Sequence, residues 1–297
     1  MGGILMENVI KINDLKYAQG DFQLLIDELN IPKGYITGLI GENGAGKTTL
    51  IYQLLNITSP HSGSIKVFDK TYQEDRKGIL SDIGVVYSEN HYPEWMNAKK
   101  LSKLMQLYYA NFNEATFIQY LSQFEVPTHI KIKNMSQGMK VKLSLAVALS
   151  HDAKLLILDE PTSNLDPTFR VALLKIFQEL MLDENKTILF STHITSDLEA
   201  IADYIAYIQK GSLLFMEEKD VILDSYRVVK GETHLLDDEV KSLLIGIESE
   251  HGLFTGLTVD AKTFHELFGN QVSIRHANID EIMYFKKRER LHHEKSL

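Results

Sequence analysis

Cysteine is absent from this chain of 297 residues. Disulfides, thiolate zinc sites and cysteine nucleophiles are therefore excluded. Positive charge is in deficit: the formal net charge is −9 and the isoelectric point about 5.7, so no global positive field draws the chain to nucleic acid. No uninterrupted apolar run approaches the ~18 residues that spanning a bilayer requires. Met1 to Leu5 is too short for a signal peptide. The expectation is a cytosolic chain; if it works at a membrane, another chain crosses it. Internal repeats and low-complexity segments are also missing. Hydrophobic residues at 44% and charged residues at 24% lie near the soluble globular average. That excludes disordered, collagen-like and coiled-coil classes. The length predicts one large domain, or one plus a small appendage.

The first segment alternates like strands at Val9, Ile10 and Ile12 and again from Phe22 to Leu29, with Tyr35 to Ile40 as a short buried strand. A glycine-rich turn, Gly41 to Gly46, precedes a helix predicted over Lys47 to Asn56. Further strands are expected at Ser64 to Phe68 and Ile83 to Tyr87. The period changes at Asn97. Leu101, Leu104, Met105 and Tyr108 share one helical face, and Ile118, Leu121 and Phe124 continue the spacing until Pro127. Met139 to Leu149 reads as an apolar helix, Leu155 to Leu158 as a buried strand, and Phe169 to Leu182 as a helix. A strand at Thr187 to Ser191, a helix at Thr195 to Ala202, and a hairpin across Lys210-Gly211 follow. Strands alternating with helices predict an α/β fold with a largely parallel sheet and helices on both faces. The helical block at about 90–150 is expected as an inserted subdomain of a domain spanning 1–220. The weaker pattern over 221–297 suggests a small α+β appendage.

Gly41-Glu42-Asn43-Gly44-Ala45-Gly46-Lys47-Thr48 fits G-x-x-x-x-G-K-[ST], with Thr49 next to it. In such a loop the backbone N–H groups close around phosphate oxygens, and the helix start adds its positive dipole end. Lys47 then reaches the β- and γ-phosphates, and Thr48 offers a hydroxyl to Mg²⁺. Leu155 to Glu160 is an apolar strand ending in two carboxylates. Asp159 is expected to hold Mg²⁺ through water and Glu160 to polarise the attacking water. His193, just past the strand at Thr187 to Ser191, is placed to contact a γ-phosphate; a lone histidine at a strand end is otherwise structural.

Taken in order, these motifs resemble the ATP-binding subunit of an ABC transporter, a P-loop NTPase fold, over about Met6 to Met216. The resemblance implies ATP and Mg²⁺ as ligands, Tyr17 stacking on adenine, and Met135-Ser136-Gln137-Gly138-Met139 as the signature. It also makes Ser163-Asn164-Leu165-Asp166 the loop after the acidic strand and His193 the switch histidine. Ser136 can cap the helix that follows, and Gly138 leaves its N–H accessible. In the family this helix end faces the ATP of a second subunit, so two ATPases sandwich two nucleotides head to tail, and Asp166 helps link the sites. A separately encoded transmembrane permease is the implied partner, with the ATPase peripheral on the inner face of the cell membrane.

Two departures from the family pattern stand out. The common signature is Leu-Ser-Gly-Gly-Gln, and a methionine in its fifth place resembles the branch of bacterial exporters that move antibiotics, peptides or toxins. A likeness to the ATPases of phenol-soluble-modulin export rests on no single residue. The family's usual glutamine after the strand at Ile83 to Tyr87 is replaced by Ser88-Glu89, and either could take its place, Glu89 by giving an oxygen to the metal. The expected function is an ATPase that powers export. A regulatory subunit of a heterodimer with little hydrolysis and an importer ATPase stay open. A soluble relative acting on DNA or ribosomes is disfavoured by the acidic charge and the single phosphate loop. The basic run Lys286 to Arg290 reads as a solvated helix end or as a lipid-attracted patch, and Trp95 opens the helical block where the family meets its membrane partner.

Overall fold

The computed structural model describes residues 7–295, with side chains to 289. They form two compact units, one reaching Met216 and the other beginning at Glu217. The first opens with β1 (Asn8–Gln19) and β2 (Phe22–Pro32), followed by β3 (Ile36–Ile40), α1 (Lys47–Leu54), β4 (Ser62–Val67), α2 (Tyr72–Ser81) and β5 (Ile83–Val86). The helical block is α3 (Ala98–Tyr108), α4 (Glu114–Gln123) and α5 (Gln137–Ala148). Then come β6 (Leu155–Asp159), α6 (Pro167–Leu180), β7 (Thr187–Thr192), α7 (Thr195–Ile201), β8 (Tyr204–Gln209) and β9 (Ser212–Glu218).

One nine-stranded sheet runs in the order β4-β1-β2-β9-β8-β3-β7-β6-β5. Strands β8, β3, β7, β6 and β5 pair in parallel. All residues of β3, β6, β7 and β8 are buried, which is why they read as unbroken apolar runs rather than alternating ones. The other wing departs from a largely parallel sheet, because β1 pairs antiparallel with both β2 and β4. The two-residue connection at Gly20-Asp21 leaves β1 and β2 no other direction.

The helix α2 was not expected, although Thr71-x-x-Glu74 is a capping signature: the Thr71 N–H donates to the Glu74 carboxylate at 2.7 Å. Within α3 the expected apolar position Tyr108 is 70% exposed. The helix ends there, and Tyr109 turns inward in its place, stacking on His151 with centroids 4.0 Å apart. In α4 Leu121 is buried as expected, but its buried neighbour is Phe117 rather than Ile118, which is exposed. Side-chain caps from Asn97, Asn113 and Ser136 start α3, α4 and α5.

The second unit is α+β in composition. It contains α8 (Lys219–Ser225), β10 (Arg227–Glu232), α9 (Asp238–Ser242), β11 (Ile245–Glu250), β12 (Leu253–Thr258), α10 (Ala261–Phe268), β13 (Ser273–His276) and α11 (Ile279–Lys295). An antiparallel sheet, β11-β12-β10-β13, buries Val229, Phe254 and Phe264. The basic run lies on α11 and is partly spent inside the unit. Arg288 donates to the Ile247 carbonyl at 2.7 Å, and the Lys286 ammonium sits 5.0 Å over the Tyr226 ring. The Arg290 side chain lies outside the described residues. No helix among the described residues is long and apolar enough to cross a membrane.

His151 pins the helical block to the sheet. Its ring nitrogens lie 3.2 Å from the Val147 carbonyl and 3.1 Å from the Ile83 carbonyl, and the residue is buried. Burial outweighs those carbonyls and pulls the imidazole pKa below its ordinary value. A depressed histidine contributes stability above its unfolded pKa of about 6.5 and loses it as pH falls through the folded value. His151→Phe keeps a ring against Tyr109 and has nothing to titrate. The urea midpoint of wild type should therefore fall relative to that of His151→Phe from pH 7.5 to pH 5.5, whereas a constant difference would remove His151 from the acid response.

Candidate functional site

Strand β3 delivers the chain from the core into the loop Gly41 to Gly46, and α1 begins at once at Lys47. Gly46 stands at φ 110°, and a Cβ there would meet the Phe22 ring at 2.9 Å, so a side chain is excluded by both conformation and space. No side chain caps α1, and its first turn has no acidic residue. Its first N–H groups and positive dipole end are thus left for an anion. Lys47 is buried; its ammonium donates to the carbonyls of Gly41 at 2.7 Å and Glu42 at 3.3 Å and lies 3.4 Å from Glu160 Oε1.

The parallel pairing of β6 with β7 brings the acidic pair against that loop. Asp159 is buried, and both its oxygens accept hydroxyls: Oδ2 from Thr48 at 2.9 Å and Oδ1 from Ser191 at 2.6 Å. Glu160 leaves the strand in the left-handed region, at φ 51°. Its N–H is held by Ser191, with the carbonyl at 3.1 Å and the hydroxyl at 3.0 Å. The turn aims its carboxylate at His193, whose Nδ1 is 2.7 Å from Glu160 Oε2. Lys47, Thr48, Glu160 and His193 share a cavity of about 460 Å³ with Glu42, Asn43, Gly44, Gly46, Thr49, Ser88 and Ser163, whereas Asp159 is buried behind Thr48 and does not line it. Gln19 and Phe22 complete the lining.

Other expected site residues lie elsewhere. Tyr17 does not line this cavity; its ring stacks on His61 at 5.5 Å and 27°, while its hydroxyl donates to Gln19 Oε1 at 3.3 Å. Of the Ser88-Glu89 pair, Ser88 lines the cavity and Glu89 does not. Residues 88 and 89 lie in a bend past β5, with Tyr87 packed on the core and Glu89 close enough to Tyr52 to act on its phenol. There, burial first, then the carboxylates of Asp159 and Glu89, push the Tyr52 phenol above its ordinary pKa. Ser136 Oγ caps α5 by accepting from the Met139 N–H at 3.2 Å. A Cβ on Gly138 would come within 2.9 Å of the Asn164 carbonyl, so the signature packs directly on the loop after the acidic strand. Asp166 caps α6, accepting from the Phe169 N–H at 2.9 Å.

Sequence reasoning missed Ser191, Thr162, Arg170 and Asp197. Asp197 is buried, accepts from Thr162 Oγ1 at 2.6 Å and pairs with Arg170 at 2.7 Å, fastening α6 to α7 beside His193. Ser191 is one of three hydroxyl residues in β7, and its contact with Asp159, like the Asp197 network, joins residues distant in sequence and left no local sign. Among the described residues no group of three or more histidines or acids could hold a metal by itself. The Thr48 hydroxyl and Asp159 carboxylate suit instead a hard cation that takes most of its ligands from phosphate and water.

The family profile described as ABC transporter matches residues 26–163. The bacitracin transport ATP-binding protein BcrA of Bacillus licheniformis is 36% identical over 215 residues, covering 70% of this chain and 69% of that protein. The lantibiotic transport ATP-binding protein SrtF of Streptococcus pyogenes is 35% identical over 219 residues, covering 71% and 92%. In fold, a dimeric post-hydrolysis ATP-binding cassette bound to ADP and Pi superposes with a TM-score of 0.61 at 19% identity, over 70% of this chain and 98% of that one. With the phosphate loop, the acidic strand and the histidine gathered on one cavity, and with such relatives matched over two thirds of their length, the chain belongs to the ABC transporter family as an ATP-binding subunit, an ATPase.

Proposed function

We propose that this ATPase powers export of a peptide or antibiotic through a separately encoded membrane protein, working as one half of a head-to-tail pair of ATP-binding subunits. The substrate class rests on BcrA and SrtF, whose names assign them to bacitracin and lantibiotic transport. The observation that carries hydrolysis, against a regulatory subunit with little turnover, is the 2.7 Å contact of His193 with Glu160 in a cavity that also holds Lys47. In this reading residues 1–220 are the ATP-binding domain, 221–297 an accessory region, and 90–150 the face toward the membrane partner. Exposed Trp95, Leu107, Tyr108 and Ile118 support that face. The subunit then sits peripherally on the inner face of the membrane through its partner.

The residues divide the work as follows. The N–H groups of Gly41 to Thr49 and the start of α1 hold the β- and γ-phosphates. Lys47 transfers its ammonium from the loop carbonyls to the γ-phosphate. Thr48 and Asp159 would hold Mg²⁺, which supplies charge neutralisation on the phosphates. Glu160 takes a proton from the attacking water, and His193 orients that carboxylate and approaches the γ-phosphate. Ser136, Gly138 and Asp166 act on the nucleotide of the partner subunit, and Tyr17 offers its ring to adenine.

Glu160→Gln should bind ATP with wild-type affinity and hydrolyse it at least about a hundredfold more slowly in a phosphate-release assay. Turnover near that of wild type would remove Glu160 as the base. By light scattering, the same variant should be a monomer alone and a dimer with ATP and Mg²⁺; a monomer in both conditions would count against the pair. Tyr17→Ala should weaken ATP binding by about 1–3 kcal/mol in titration calorimetry. Unchanged affinity would leave Tyr17 as a packing partner of His61.

A further inference from the structure

We infer that Gln137 is a positioning residue that couples the chain's own nucleotide cavity to the signature it presents to a second subunit; the inference rests on the head-to-tail reading above. Gln137 is the first residue of α5, between Ser136 and Gly138. Its side-chain Nε2 donates to the backbone carbonyl of Ser88 at 3.1 Å, across 49 positions of sequence. Ser88 lines the cavity beside Lys47, Thr48 and Glu160. One hydrogen bond thus joins a residue at the cavity wall to the first turn of the helix that carries the signature.

The bond has no other evident task. Ser136 already caps α5, so the amide of Gln137 is not needed to start the helix. Gln137, where the common signature has glycine, and Ser88, one of the two residues that stand where the family usually has glutamine, are the two ends of this contact. The segment that follows Ser88 is tied to the same helix and its approach. Lys140 pairs with Glu94 at 3.6 Å, the Lys133 N–H donates to the Glu94 carbonyl at 3.0 Å, and the Ile132 N–H donates to the Met96 carbonyl at 2.8 Å. Residues 88–96 and the signature therefore move as one piece. Phosphate that displaces Ser88 in one cavity shifts the signature offered to the other, and the two-way linkage of binding makes the effect reciprocal.

The test compares Gln137→Gly, which removes the donor, Gln137→Glu, which sets a carboxylate against the Ser88 carbonyl, and Gln137→Lys, which keeps a donor of similar reach. Each is made in the full chain with Glu160→Gln, and the ATP concentration giving half-maximal dimer is read by light scattering. Binding of a fluorescent ATP analogue to dilute monomer is measured alongside. The Gly and Glu variants should raise the dimerisation midpoint about fivefold, the scale of one exposed hydrogen bond, with monomer binding unchanged. The Lys variant should match the parent. With Glu160 intact, the Hill coefficient of ATP hydrolysis should fall toward one in the Gly variant and persist in the Lys variant, a change that simple loss of helix stability does not produce. Midpoints and Hill coefficients equal to the parent's in the Gly and Glu variants would overturn the inference alone, as would a Lys variant that behaves like Gly. A parent that never dimerises with ATP would overturn the head-to-tail reading and this inference with it.

Discussion

A buried carboxylate must find partners or be expelled, and Asp159 finds two. The hydroxyls of Thr48 and Ser191 reach its two oxygens at 2.9 and 2.6 Å, from the first turn of α1 and from β7. Leaving such a group without partners costs several kcal/mol, on the order of 2–7 for an uncompensated polar group and more for a charge. The phosphate loop, the acidic strand and the strand leading to His193 are therefore fastened to one another at a single atom cluster. Everything else at the cavity hangs from that fastening. Lys47 is the residue before Thr48, Glu160 follows Asp159, and His193 lies two positions past Ser191.

The same serine governs the next residue. Glu160 adopts a left-handed backbone, a conformation costing of order 1–3 kcal/mol in a non-glycine residue. It is stabilised there because the Ser191 carbonyl and hydroxyl both face its N–H. The turn that results swings the carboxylate out of the sheet and toward the imidazole of His193. Strain in one residue thus separates two neighbouring acids into different environments. One is sealed among hydroxyls where it can face a cation, and the other stands at the cavity wall where it can meet water.

How much of this was legible depended on whether the signal was local. The loop from Gly41 to Thr48 and the strand ending in Asp159-Glu160 were readable because their chemistry sits in consecutive residues. So was the cap at Ser136, confirmed by its 3.2 Å bond from Met139. Helix α2 was equally local in its Thr71-Glu74 capping pair, yet its apolar spacing is weak: only Tyr72 and Ile79 are buried, and Asp75 breaks the helical backbone. Tyr108 followed the helical period faithfully and still ended in solvent, because period cannot say where a helix stops and Tyr109 takes the inward position. Asp197, Ser191 and the Gln137–Ser88 contact were hidden for the opposite reason. Each joins residues about 30 or more positions apart, and only the sheet order brings them together.

Lys47 shows how this geometry, on the proposed roles, makes the base depend on its substrate. Its ammonium is held by the carbonyls of Gly41 and Glu42 and stands 3.4 Å from Glu160, which itself contacts His193. A triphosphate entering the loop competes for the same ammonium with a larger negative charge and draws it off the carbonyls and off Glu160. Glu160 is then left to His193 and to water when there is a γ-phosphate to attack. A bound diphosphate reaches less far along the cavity and competes less well. Within one chain, then, the residue that recognises the terminal phosphate is also the ion-pair partner of the residue that would activate water.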